Sequence, residues 1–251
     1  MTSSPPGPVI GCCGFRSSRA AYFARLPAVE VQHTFYQPPR PATLAGWRAE
    51  APAGFVFAVK AWQLVTHPAS SPTYRRLRRP LADEARAEAG AFRPTDTVEA
   101  AWEATRASAA ALEAAAVLFQ CPPSFNPTER HVADLRAFFE APGRAPGDRD
   151  GRVFAWEPRG GWPPELVEEL CEGLDLWHAV DPFAAPGATP GRAYYRLHGR
   201  KGWRYRYEDG ELEELAAMLP PGAPAFVFFN NVHMLEDAER FRAIVGEPEG
   251  P

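Results

Sequence analysis

Two short apolar runs in this 251-residue chain end on residue pairs able to do acid–base or anion chemistry: Glu157 with Arg159, and Arg196 with His198. Residues two apart in an extended strand point to the same face, so each pair leaves its strand on one side. Enclosing two guanidinium groups, a carboxylate and an imidazole is costly unless they pair or meet a charged ligand, and titratable clusters of this kind favour a functional site. Glu157 suits a general acid or base, with His198 as its proton-transfer partner. Arg159, Arg196 and Lys60 suit the binding of phosphate or carboxylate. Lys60 ends a third apolar run and admits a second role, as an amine that forms a Schiff base with a carbonyl substrate.

The stretch from Ala193 to Arg206 adds Arg200, Lys201, Arg204 and Arg206 to Arg196 and His198, interleaved with aromatic rings. The chain is acidic overall, with 31 Asp and Glu against 27 Lys and Arg and a net charge of -4. Cations gathered in one place are then presented to something anionic. Arg200 and Trp203 are assigned to ligand contact. The expected partner is an anionic small molecule or a nucleic acid. A competing reading makes the same stretch a non-catalytic module, in which the cations hold a nucleic-acid backbone while Trp203, Tyr205 and Tyr207 stack on bases. The net acidity confines such a footprint to one patch.

The remaining candidates carry structural alternatives beside their functional ones. Glu30, in mid-strand, is either an interior ion-pair partner of Arg196, the preferred reading, or a catalyst. Gln120 either ties neighbouring strands or touches ligand. His33 reads as a core histidine, and His131 and His178 are given no role. Glu157, Asp181, His198 and His67 are also the ligand types of a divalent metal centre. Arginine and lysine crowd the same place and would repel a cation, so no cofactor is expected and a divalent metal is the minority alternative.

Cys12, Cys13, Cys121 and Cys171 lack zinc-knuckle spacing and read as buried thiols of a reducing cytosol. No histidine near Cys12 and Cys13 in sequence recommends them as nucleophiles. The longest apolar run, 107–121, is Ala-rich, interrupted by Glu113 and too short to span a bilayer. Met1 to Pro8 is polar and Pro-rich, without the pattern of an export signal. A cytoplasmic protein with no membrane partner is expected. Nothing in the sequence sets an oligomeric state.

The elements that must position these residues alternate. Strands are expected at Val9 to Cys13, Ala28 to Tyr36, Phe55 to Ala61, Ala115 to Cys121, Arg152 to Arg159, Leu176 to Asp181, from Ala193, and at Ala225 to Asn231. Helical patterns separate nearly all of them, the firmest being Thr95 to Ala114, Thr128 to Ala141 and Pro163 to Gly173. A longer helical excursion follows strand 3, and the Gly/Pro-rich Ala184 to Arg192 after strand 6 reads as irregular. Eight such units argue for a single (β/α)8 TIM barrel with an eight-stranded parallel sheet, an α/β fold spanning 9–246 between flexible tails 1–8 and 247–251. An open doubly wound sheet would require a glycine-rich phosphate turn that Gly11-Cys12-Cys13-Gly14 does not provide. The polar residues His33, Thr34, Lys60, Gln120, Glu157, Arg159, Asp181, Arg196, His198, Asn230 and Asn231 gather at the C-terminal strand ends, where barrel enzymes hold their sites.

The segments VEVQHTFYQPP, FVFAVKAWQLVTH, LFQCPPSF, WEPRGGW, YYRLHGR and FVFFNN, in this order, resemble the YecE-like domain family of unknown function across nearly the whole chain. The resemblance implies a TIM barrel. It also implies that Glu30, Thr34, Tyr36, Lys60, His67, Gln120, Glu157, Arg159, Arg196, His198, Asn230 and Asn231 fall on signature positions. It implies no reaction. Phe15, Gln32 and Pro158 depart from the family pattern, and Pro158 removes a backbone donor beside Glu157.

Overall fold

The computed structural model describes residues 7–246, so the expected tails, apart from Gly7 and Pro8, lie outside the described residues. The chain opens with β1 (Val9–Cys13), α1 (Arg19–Phe23), β2 (Ala28–Val31), α2 (His33–Tyr36), α3 (Pro41–Glu50) and β3 (Val56–Lys60). The excursion after β3 consists of α4 (Gln63–Thr66), a 3-10 turn at Pro72–Arg76, α5 (Asp83–Glu88) and the long α6 (Asp96–Ala111). Then follow β4 (Ala116–Gln120), α7 (Glu129–Glu140), β5 (Val153–Glu157), α8 (Pro164–Gly173) and β6 (Trp177–Val180). No helix separates β6 from β7 (Ala193–Leu197), and α9 (Asp209–Ala217), β8 (Ala225–Phe229) and α10 (Met234–Val245) complete the chain.

The eight strands form a closed barrel in sequence order, and β1 pairs parallel with both β2 and β8. Alternation along each strand sorts its side chains into two apolar shells. Val29, Phe57, Val117, Phe119, Phe154, Trp156 and Phe229 pack outward under the helices. Ala28, Ala58, Ala116, Leu118, Ala155, Ala179, Tyr194, Phe226 and Phe228 fill the interior. Alanines on β2 to β5 therefore oppose large aromatic rings on β6, β7 and β8, where Trp177, Tyr194, Phe226 and Phe228 lie.

Gly11 belongs to this division, because a Cβ there would stand 2.2 Å from the Ala28 carbonyl oxygen and 3.2 Å from the Phe228 ring. The obstacle is backbone of the paired strand, which cannot rotate away. Gly11→Ala is expected to destabilise the fold by about 1–3 kcal/mol, read as a lower urea midpoint with unchanged slope.

One expectation fails at β2, which ends at Val31 rather than Tyr36. Residues 32–36 alternate as a strand would, but the Thr34 hydroxyl is captured by two carbonyls, Val31 at 3.0 Å and Lys60 at 2.7 Å. That bond turns the chain into α2 at the strand end. β5 and β8 also stop early, leaving Arg159 and Asn230 just beyond their strands. Pro158 terminates the β5 ladder without loss, since the Glu157 carbonyl still accepts from the Cys121 N–H at 3.0 Å.

Candidate functional site at the C-terminal mouth of the barrel

Interior alternation carries one residue from each of several strands to the same end of the barrel. Ala28, Ala58, Leu118, Ala155 and Tyr194 face inward, so Glu30, Lys60, Gln120, Glu157 and Arg196, two residues on, face inward one step nearer the mouth. Register reinforces this placement, with Gln120 paired to Glu157 across β4 and β5, and Cys13 to Glu30 across β1 and β2.

Arg196 is the centre of the group and is 1% exposed. Its Nη1 donates to Glu157 Oε2 at 2.5 Å, its Nη2 to Glu30 Oε1 at 2.8 Å, and its Nε reaches both Glu30 oxygens at 3.1–3.2 Å. The Tyr194 hydroxyl donates to Glu30 Oε2 at 2.8 Å, the Gln32 amide to Oε1 at 2.5 Å and the Cys13 thiol to Oε1 at 3.3 Å. Glu30 is thus the ion-pair partner of Arg196. Gln32, a departure from the family pattern, contributes to its shell.

Glu157 is held as fully. Arg159 Nε donates to its Oε1 at 2.6 Å and Gln120 Nε2 to the same oxygen at 3.3 Å. Burial pushes its pKa up, but Arg196, Arg159, His198 and Lys60 outweigh burial and hold it at about 2. Arg159 Nη2 donates to His198 Nε2 at 3.0 Å, which leaves the His198 proton on Nδ1, facing Asp181 Oδ2 at 3.8 Å. Asp181 also accepts the His198 backbone N–H at 2.9 Å.

Lys60 stands apart from these pairs. Its Nζ donates to Gln120 Oε1 and lies 3.7 Å from the centre of the Phe35 ring, with no carboxylate in ion-pair range among the described residues. Burial, followed by the Arg196 charge, lowers its pKa to about 7, against the opposing pull of Glu157 and Glu30. His67 bonds Thr66 Oγ1 through Nδ1 at 2.7 Å and packs edge-on to Phe35. Burial, then Lys60, lowers it to about 3, so it is uncharged at neutral pH.

Above these residues opens a cleft of about 980 Å³. Among the described residues lining it are Arg16, Lys60, Arg76, Arg159 and Arg196 with His33, His67 and His198, and no Asp or Glu. Tyr36, Gln120 and Asn230 also face it, and the Arg76 guanidinium lies 4.2 Å from the Tyr36 ring centre.

The structure therefore brings Glu157, His198, Lys60, Arg159, Arg196, Gln120, Tyr36, His67 and Asn230 together. It turns the other expected site residues elsewhere. Thr34 is fully buried on backbone carbonyls. Asn231 donates to Asp237 at 2.6 Å and to the Tyr205 carbonyl at 2.7 Å, fixing the start of α10. Arg200 pairs with Glu214 and Glu211 at 3.0 and 3.4 Å, and Trp203, 60% exposed, lies on the loop beyond. The turn into that loop is made at Gly199, whose φ of 86° favours glycine and where an added Cβ would stand 2.4 Å from the Gly202 carbonyl oxygen. Phe35, Arg16, Arg76 and Tyr194 were missed. Period-2 spacing from Arg196 could have found Tyr194, whereas Phe35 depends on the helical turn that replaced the end of β2.

The donor set does not suit a divalent ion. Both Glu157 oxygens already accept from arginine, and no group of three or more His, Cys, Asp or Glu able to hold a metal occurs among the described residues. No helix among the described residues is long and apolar enough to cross a membrane.

A family model described as "Protein of unknown function DUF72" matches residues 14–250. The chain is 28% identical over 245 residues to the UPF0759 protein YunF of Bacillus subtilis (strain 168), covering 84% of this chain and 79% of that one. A DUF72 family protein from Enterococcus faecalis V583 superposes with a TM-score of 0.70 at 19% identity, covering 96% of both chains. A xylose isomerase domain protein from Planctomyces limnophilus superposes with a TM-score of 0.57 at 12% identity over 94% of each, a likeness of fold alone.

Proposed function

From the premise that this chain belongs to the DUF72 family of unknown function, we propose that the barrel mouth is the site of an enzyme acting on a small, phosphate-bearing substrate by proton transfer. The YecE-like resemblance of its motifs is the finer placement within that reading. The observation that carries it is the cleft wall, on which cations from five positions meet with no acidic side chain among the described residues lining it. Such a wall concentrates anions and binds phosphate oxygens through guanidinium donors.

The roles follow from what each group still has to offer. Arg196 is spent on two carboxylates and serves as the buried frame. Arg159 keeps part of its guanidinium exposed and reaches the ligand, assisted by Arg76 and Arg16 at the rim. Glu157, held at about 2, stays ionised and orients Arg159 rather than exchanging protons. Lys60, poised at about 7, is the group that gives or takes a proton at neutral pH, with His198 beside Arg159 as its partner. No step requires a metal.

Inorganic phosphate and pyrophosphate should raise the melting temperature of the wild type by mass action, equivalent to about 2.7 kcal/mol at a hundredfold excess over Kd. Arg159→Ser should lose most of that increment while keeping its own fold. An increment unchanged in Arg159→Ser, or absent from the wild type, would sink the proposal.

A second reading, nucleic-acid binding without catalysis, is favoured by one observation. Trp203 is 60% exposed and the Arg204 guanidinium lies 5.3 Å from its ring centre. The same titration with a single-stranded oligonucleotide separates the two. Binding that falls steeply with salt and vanishes in Trp203→Ala, with phosphate stabilisation intact, assigns the loop and not the cleft.

A further inference from the structure

We infer that Lys60 is an amine nucleophile that condenses with a small carbonyl compound also bearing an anionic group, an extension that rests on the proposed anionic-substrate reading. Lys60 is the last residue of β3, at the interior register, and its Nζ lies on the cleft wall with Gln120, His67 and Arg159. Its contacts are the Gln120 amide oxygen and the face of Phe35. Both nearby carboxylates, Glu30 and Glu157, are engaged by arginine instead. A lysine kept only to hold an anion is better served by a counter-ion network that keeps it charged. One placed among arginines without a carboxylate is disposed to lose its proton, and burial with Arg196 brings Lys60 to about 7, where free amine and ammonium are equally populated near neutrality.

The step balances without an external oxidant or reductant. The Nζ lone pair attacks the carbonyl carbon and the C=O electrons move to oxygen, giving a carbinolamine after one proton passes from nitrogen to oxygen. The hydroxyl then leaves as water, taking a second proton, and a C=N bond remains. His198, on the same wall and already the partner of Lys60 in the proposed proton transfer, is the group available to pass that proton. Arg159 and Arg76 meet the anionic end, which distinguishes the expected substrate from a neutral aldehyde.

The test exploits the presence of only two lysines, Lys60 and Lys201. The intact protein is treated with glyoxylate and sodium cyanoborohydride at neutral pH, and adducts are located by peptide mapping. Because an ordinary lysine has a pKa of ~10.4 and little free base at pH 7, Lys60 is expected to be carboxymethylated at least about tenfold faster than Lys201. Propionaldehyde should label Lys60 more slowly, inorganic phosphate should slow glyoxylate, and Lys60→Arg should retain only adducts at Lys201 and the amino terminus. Equal or faster labelling at Lys201 overturns the inference. If phosphate still stabilises the same preparation through Arg159, the failure lies with the imine and the anion reading stands. Labelling of Lys60 indifferent to charge and to phosphate overturns the anionic part of the substrate assignment.

Discussion

Arg196→Met is expected to cost about 3–5 kcal/mol of stability at pH 7, because it strands the buried Glu30 carboxylate and removes one of the two arginines on Glu157, and to reverse the direction in which acid acts on the protein. In the wild type, burial alone would raise Glu30 and Glu157, and Arg196 is foremost among the charges that bring both below the ordinary carboxylate value. A depressed carboxylate contributes stability that is present above the unfolded pKa of ~4.3 and is lost as pH falls through the folded value. For Glu157 that folded value is about 2. The wild type should therefore weaken only in strong acid.

Without Arg196 the burial penalty on Glu30 is opposed mainly by the Tyr194 hydroxyl and the Lys60 charge. Its folded pKa then rises above the unfolded one. Stability from such a group is complete below the unfolded pKa and lost as pH rises through the folded one, so the variant should gain stability on acidification from pH 7 towards ~5. Urea unfolding at several pH values reads both effects. A variant whose stability falls with acid in parallel with the wild type would show that the carboxylates do not depend on Arg196. A variant unfolded at pH 7 is examined for refolding at mildly acidic pH, where the same argument requires it.

Lys60→Met is expected to act in the opposite sense, raising stability while abolishing the proton exchange and leaving the arginines that hold phosphate in place. Lowering a lysine from its ordinary 10.5 to about 7 corresponds to roughly 4–5 kcal/mol against the charged form, at 1.36 kcal/mol per tenfold change. Part of that is offset by loss of the Phe35 contact and the Gln120 bond, so a net gain of about 2 kcal/mol at pH 6 is expected. The pH sign is fixed by linkage. Between about 7 and 10.5 the unfolded wild type binds more protons than the folded one, so its stability climbs with pH over that window. The advantage of Lys60→Met should be largest below pH 7 and disappear by about pH 10. An advantage that does not vary with pH, or a variant less stable than the wild type at pH 6, would refute the orphaned-cation account. A stabilising substitution at a functional position is the usual trade between stability and activity.

These expectations separate two kinds of information in the chain. Strand-length apolar runs, their alternation with helical segments and the absence of a glycine-rich phosphate turn determined a closed parallel barrel, because period and length are local properties. The same alternation determined which end of the barrel carries chemistry, since Lys60, Gln120, Glu157 and Arg196 each stand where an apolar strand runs out. Side-chain direction two residues further along a strand follows from the pleat, so the inward aim of these four was legible before any tertiary contact was known.

Charge state and partnership were decided only by closure. The pairing of Arg196 with Glu30 across 166 residues was the preferred reading of the sequence, but no local pattern records that Arg196 would also take Glu157 and leave Lys60 with an amide and a ring. A pKa depends on every charge within a few ångströms and on the depth of burial, and those neighbours arrive from β2, β4, β5 and β7 together. Closure likewise turned Thr34 and Asn231 into fastenings of the backbone, although their sequence positions are as favourable as that of Asn230. The sequence by itself therefore determined the barrel, its mouth and the residues aimed at it. The tertiary structure decided which of those residues neutralise one another and which, above all Lys60, are left with a proton to exchange.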